Sequence, residues 1–126
     1  MNGAPDKRLM LEEAVVESAL VLHKLMDVIE ERKRNPPEKS YTSSLLAGGV
    51  VRIGKKILEE SRELVEAAGE SDEEGRQHMI REAADVVYHL LVLLAQRDAT
   101  LADVEQELAK RFGISGIDEK ASRPKP

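Results

Sequence analysis

The sequence contains no cysteine and no tryptophan, and its aromatic residues are two tyrosines and one phenylalanine: Tyr41, Tyr88 and Phe112. Without cysteine, disulfide frameworks, thiolate metal centres and cysteine nucleophiles are excluded. So few rings leave little from which to build a base-stacking platform. Positive charge is not in excess either, since 19 Lys and Arg stand against 24 Asp and Glu for a net charge of -5. That balance argues against a nucleic-acid footprint. The longest apolar run is interrupted by Tyr88 and His89 and is too short to span a bilayer. No secretory leader is expected, because "MNGAPDKR" is followed by the acidic, helix-like "LMLEEAVVES". The expectation is a cytoplasmic protein whose partners include neither nucleic acid nor a membrane.

What is present is helical periodicity, with no alternating strand pattern. A chain of 126 residues is one domain's worth, long enough to bury a core. A first helix is expected from about Arg8 to Lys33, with Leu11, Val15, Leu22, Met26 and Ile29 at helical spacing. The "NPP" that follows ends it, since Pro36 and Pro37 remove donors and restrict the residue before each. "SYTSSLLAGG" suggests a short helix capped by Ser40 or Thr42 and terminated by Gly48. A further helix is expected from about Val50 to Ala68, stopped by Gly69. In "SDEE" a capping box, Ser71 with Glu74, starts the next one, which runs to about "QRDAT". Thr100 caps a last helix to about Phe112, closed by Gly113. The expected fold class is all-α, a bundle of four to five helices. Residues 1–25 are expected to form an N-terminal helical extension, 26–112 the domain, and 113–126 a tail. Gly75, near the start of its helix, has no explanation at this level.

Acids fall where a core is expected. At ~100° per residue, Ile53, Ile57, Leu64 and Ala67 define the apolar sector of the helix over 50–68. Glu60 lies inside that sector and Glu63 at its edge, with Glu59, Arg62 and Glu66 further towards the polar side. The helix that holds "REAADVVYHLLVLLA", residues 81–95, is apolar over nearly its whole circumference except for one stripe of His78, Glu82, Asp85 and His89. Two helices therefore each present a pair of acids at i, i+3, which share a face. A solvated surface is the plain alternative, and it serves for Glu12, Glu13, Glu17, Glu73, Glu105 and Glu107. Burying like charges together without a cation, however, costs several kcal/mol per ion or drives protonation. A hard divalent ion such as Mg²⁺ removes that penalty and leaves positions open for phosphate oxygens. A di-iron site would require Glu-x-x-His on two helices; here Glu82 is followed by Asp85 and Glu60 by Glu63. His89, one turn beyond Asp85, is expected to be a hydrogen-bonded structural residue or to orient a carboxylate. His23 and His78 carry no further signal. "AGGVVRIGKK" lacks P-loop spacing and is a helix boundary.

"EESRE" (59–63) followed by "EAAD" (82–85) resembles the E-E-x-x-E…E-x-x-D pattern of the all-α NTP pyrophosphohydrolases, the MazG-like group. The segments "IEERKRNPPEKSYTSSLL" (29–46), "GKKILEESRELVEAA" (54–68), "EAADVVYHLLVLLA" (82–95) and "SGIDEKASR" (115–123) resemble, within that group, the phosphoribosyl-ATP pyrophosphohydrolases of histidine biosynthesis. The likeness extends from about Met26 to Arg123. It implies that Glu60, Glu63, Glu82 and Asp85 bind Mg²⁺ and that Glu59 is an outer ligand or the base for the attacking water. Two residues depart from the pattern: Leu58 and Ser61 stand where a Gly and an Ala are common. The first ~25 residues also extend the opening helix beyond what is usual there.

The activity implied is hydrolysis of phosphoribosyl-ATP to phosphoribosyl-AMP and pyrophosphate. Phosphate charge requires cations, and Arg32, Lys56, Lys120 and Arg123 lie in the family-like segments. Ser40, Tyr41 and Thr42 are further substrate-binding candidates, because capping accounts for one hydroxyl and not for three in a row. The tail is expected to fold over the ligand. Alternatives are a MazG-like house-cleaning enzyme acting on ordinary nucleoside triphosphates, and a non-catalytic helical interaction module. A helix apolar on almost every side exceeds what the chain's other helices can cover, so a homodimer or higher homo-oligomer is expected to complete the bundle.

Overall fold

The computed structural model describes residues 6–112. Four helices account for nearly all of them: α1 (Lys7–Arg34), α2 (Tyr41–Ala68), α3 (Glu73–Gln96) and α4 (Leu101–Phe112). Among the described residues there is no strand, and the all-α expectation holds. The expected closure by Gly113 and the tail over 113–126 lie outside the described residues.

Each helix starts where a short polar side chain can satisfy a free backbone N–H. Asp6 accepts from the Arg8 N–H at 2.9 Å, and Ser40 Oγ accepts from the Ser43 N–H at 3.1 Å. Thr100 and Asp103 cap reciprocally, the Asp103 N–H donating to Thr100 Oγ1 at 3.2 Å and the Thr100 N–H to Asp103 Oδ2 at 2.9 Å. The start of α3 corrects the sequence expectation. Asp72, not Ser71, is its N-cap, with Oδ1 accepting from the Gly75 N–H at 2.7 Å. "SDEE" offers two adjacent caps, and the contact that selects the second is tertiary. A Cβ on Gly75 would stand 2.4 Å from Glu70 Cβ and 2.8 Å from the Glu70 carbonyl oxygen. Only glycine lets the turn after α2 lie this close.

The short helix and the longer one expected on either side of "GG" are one kinked α2. The break is at Gly49, one residue beyond the Gly48 expected to terminate it, with φ 74° and ψ -171°. That backbone region is essentially reserved for glycine.

The core draws on three helices: Met26 and Ile29 from α1, Leu45 and Ile53 from α2, and Leu91, Val92 and Ala95 from α3. Burying each large aliphatic side chain contributes about 1.5–3 kcal/mol. The most extensive packing is between α2 and α3. Lys33 fastens α1 across the bundle, its Nζ donating to the Ala95 carbonyl oxygen at 2.7 Å and to Asp98 Oδ1 at 2.6 Å. A cation beside the last carbonyls of α3 also complements that helix's dipole. α4 contributes no fully buried residue. It is held by Leu101 against the core and by His23 Nε2, 2.9 Å from Glu105 Oε2. Glu105, expected to be plain surface, is thus an interhelix partner.

Many apolar side chains stay outside. From Lys7 to Leu22 every residue of α1 is exposed, and Val51, Leu58 and Val65 on α2 and Ile80 and Leu90 on α3 are exposed as well. Part of the apolar circumference of α3 therefore faces outward, while His89 is buried and Glu82 mostly so.

Candidate active site

The α2–α3 seam carries the acids. Glu60 follows Ile53 and Ile57 on the inward sector of α2 and is 9% exposed, a carboxylate set against the core. Its neighbour Glu59 points away, its side chain about half exposed. Glu63, one turn on from Glu60, is partly buried. Glu82, facing them from α3, has a side chain only 13% exposed. One carboxylate oxygen from each of Glu60, Glu63 and Glu82 lies within 4.8 Å of the others. Asp85 stands outside this group of three and is exposed, yet its charge still bears on Glu60. Of the four acids that the family resemblance assigns to metal, the structure brings three together and leaves the fourth at the rim.

The electrostatics follow from that crowding. The Glu60 carboxyl is pushed up to about 7, first by burial, then by a carboxyl–carboxyl hydrogen bond to Glu82, then by the charges of Asp85, Glu82 and Glu63. Glu63 is also raised, by burial and by the Glu82 and Glu59 carboxylates. Such a contact between two carboxyls is a hydrogen bond only while one holds a proton. Glu82 Oε2 is buried without a hydrogen-bond partner. An unpaired buried carboxylate oxygen among like charges is the arrangement that a cation relieves. The donor set is all oxygen and all anionic, which suits a hard ion such as Mg²⁺ rather than a soft one. Lys56 is the cation at hand, its Nζ 3.9 Å from Glu59 Oε2 and 4.0 Å from Glu60 Oε1.

A second polar group sits one turn further along α3, about 6 Å of helix rise from Asp85. Arg32 Nη1 donates to Ser40 Oγ at 3.3 Å. Tyr41 is stacked on Tyr88, ring centroids 6.3 Å apart, and meets the edge of His89. His89 is buried, with Nδ1 2.8 Å from the Asp85 carbonyl oxygen. That nitrogen faces an acceptor and carries a proton, so in the neutral ring Nε2 accepts from the Tyr41 hydroxyl at 3.2 Å. Thr42 Oγ1 and the Tyr88 hydroxyl are hydrogen-bonded, and burial raises the Tyr88 phenol. The structure thus gathers Arg32, Ser40, Tyr41 and Thr42 around Tyr88 and His89, while Lys56 is with the acids. Ser40 acts as a helix cap, Thr42 is 7% exposed with its hydroxyl engaged, and Tyr41 is about half exposed. Lys120 and Arg123 lie outside the described residues.

Two residues of these groups carry no site signal in the sequence. Tyr88, in the second group, stands out there only as an interruption of an apolar run. His78 shares the acid stripe, but its partner Glu70 reaches it through the turn after α2, which no helical spacing reveals. Its Nε2 is 3.4 Å from Glu82 Oε1 and its Nδ1 3.6 Å from Glu70 Oε1.

Residues 22–112 match the model of the phosphoribosyl-ATP pyrophosphohydrolase family. The chain is 54% identical over 108 residues to a phosphoribosyl-ATP pyrophosphatase of Rhodopirellula baltica, covering 86% of this chain and 90% of that protein. It is 52% identical to the protein of the same name from Paracoccus denitrificans, covering 81% of this chain and 92% of the relative. A third relative, the histidine biosynthesis bifunctional protein HisIE of Helicobacter hepaticus, is 50% identical over 82% of this chain and 43% of its own length. These matches cover both helices that carry the acids, and the chain belongs to the phosphoribosyl-ATP pyrophosphohydrolase family.

Proposed function

We propose that this protein hydrolyses phosphoribosyl-ATP to phosphoribosyl-AMP and pyrophosphate in a Mg²⁺-dependent reaction at the α2–α3 seam. The observation that carries the proposal is the meeting of Glu60, Glu63 and Glu82 within 4.8 Å, with a buried carboxylate oxygen unpaired. Family membership supplies the substrate. Glu60, Glu63 and Glu82 would hold the ion, with Asp85 joining from the rim. Bound there, Mg²⁺ would neutralise polyphosphate charge and lower the pKa of a water.

The chain's own groups do the rest. Glu59, outside the three and about half exposed, takes the proton as water attacks the α-phosphorus and the bond to the bridging oxygen of the departing pyrophosphate breaks. Lys56 meets phosphate charge next to the acids. Arg32, Ser40 and the exposed ring of Tyr41 bind the sugar–phosphate end, and Thr42 fixes the Tyr88 ring behind Tyr41. Lys120 and Arg123 join from the tail. The functional unit is a homodimer or higher homo-oligomer, which covers the apolar surfaces of α1, α2 and α3. Among the described residues no helix is long and apolar enough to cross a membrane, and we place the enzyme in the cytoplasm.

The test is pyrophosphate release from phosphoribosyl-ATP, ATP and dCTP, with and without Mg²⁺, for wild type and Glu60→Gln. Mg²⁺-dependent release from phosphoribosyl-ATP alone, lost in the variant, is the expected result. Comparable turnover of ATP and dCTP would assign a house-cleaning activity instead.

A further inference from the structure

The acid group has an outer layer on the α3 side that the proposed reaction does not use. His78 lies one turn before Glu82 on the same face of α3. One ring nitrogen faces each of two carboxylates, Nε2 towards Glu82 Oε1 at 3.4 Å and Nδ1 towards Glu70 Oε1 at 3.6 Å. The ring is flanked on both sides and cannot turn without losing one neighbour. Glu70 reaches this position because the turn after α2 runs hard against Gly75, where any side chain would collide with it. The result is a chain from a backbone constraint, through Glu70 and His78, to one oxygen of Glu82. Its other oxygen is the one left buried and unpaired.

We infer that His78, backed by Glu70, is a positioning residue that clamps Glu82 Oε1 and so aims the second Glu82 oxygen at a divalent cation. Glu82 sits at the edge of a group of mutually repelling carboxylates, and like charge drives it to rotate away when the group is empty. A ring nitrogen held 3.4 Å from Oε1 restrains that freedom before the ion arrives. Outer groups of this kind orient a ligand and typically contribute about 10–100-fold in metal affinity. The inference rests on the metal-site part of the proposed function. It adds a residue outside the E-E-x-x-E…E-x-x-D pattern, and makes the turn after α2 part of the site.

The test is calorimetric titration of the full chain with Mn²⁺ for wild type, His78→Leu and His78→Gln, together with the Mg²⁺ and substrate dependence of turnover. The amide N–H₂ of the Gln variant keeps a polar group that can face Glu82 Oε1. His78→Leu is expected to weaken Mn²⁺ binding by about 10–100-fold. It should raise the Mg²⁺ concentration needed for half-maximal rate while leaving KM for phosphoribosyl-ATP at saturating Mg²⁺ unchanged. His78→Gln should recover most of the affinity. A histidine that served only packing would lower Tm in His78→Leu without moving the Mn²⁺ affinity of the folded chain, and that result overturns the inference alone. Failure of His78→Gln to recover affinity overturns it too. Absence of Mn²⁺ binding by wild type would remove the metal-site reading itself, and this inference with it.

Discussion

At the residue scale, Glu60 is where stability and function oppose one another. Its carboxyl, raised from 4.5 to about 7, binds a proton in the folded metal-free chain that the unfolded chain has already released. Stability therefore falls as pH rises through that window and stays low above it. Glu60→Gln removes the charge while keeping shape and hydrogen-bonding capacity. In chelator-treated protein at pH 8 the variant should be more stable than wild type by roughly 1–3 kcal/mol, with a flatter dependence of Tm on pH between 5 and 8. The same variant should lose turnover. Parallel Tm–pH profiles for the two proteins would show that Glu60 is not held among uncompensated carboxylates. The inward position of Glu60 was legible in the sequence because it shares a helical sector with Ile53 and Ile57. The link from His78 to Glu70 was not, since it depends on how closely a turn approaches Gly75.

At the element scale, glycines and caps set the boundaries. α1 was legible to within a residue at each end because prolines and periodicity agree there. The kink in α2 fell at Gly49 rather than Gly48, since two adjacent glycines give no local reason to prefer either. Only the observed φ of 74° at Gly49 distinguishes them. A Cβ there would touch nothing within 4 Å, so the cost of Gly49→Ala is backbone strain alone, about 1–3 kcal/mol. Gly54 lies inside α2 and is equally open to a Cβ. Gly54→Ala should therefore stabilise the chain by up to about 1 kcal/mol. Urea denaturation of the two variants should give shifts of opposite sign, and shifts of the same sign would contradict the assigned kink.

At the scale of the whole molecule, the buried core is small for the number of apolar residues. Met26, Ile29, Leu45, Ile53, Leu91 and Val92 are buried, whereas Leu11, Val15, Val51, Leu58 and Val65 are each more than 60% exposed. Surfaces like these mark association sites in folded proteins. Sedimentation at micromolar concentration should give at least twice the chain mass of 14.0 kDa, and a stable monomer would contradict the homo-oligomer. The abundance of apolar residues was legible from the sequence. Which faces stay open was not, because α3 turns His89 inward and leaves Ile80 and Leu90 outside.

The central claim is that carboxylates crowded in the α2–α3 seam are the ligands of a divalent ion. Anomalous diffraction from crystals soaked in Mn²⁺ tests it directly. The account predicts a peak bonded to oxygens of Glu60, Glu63 and Glu82, with Asp85 drawn in from the rim. A saturating soak that leaves the seam empty, or places the ion elsewhere, would contradict it.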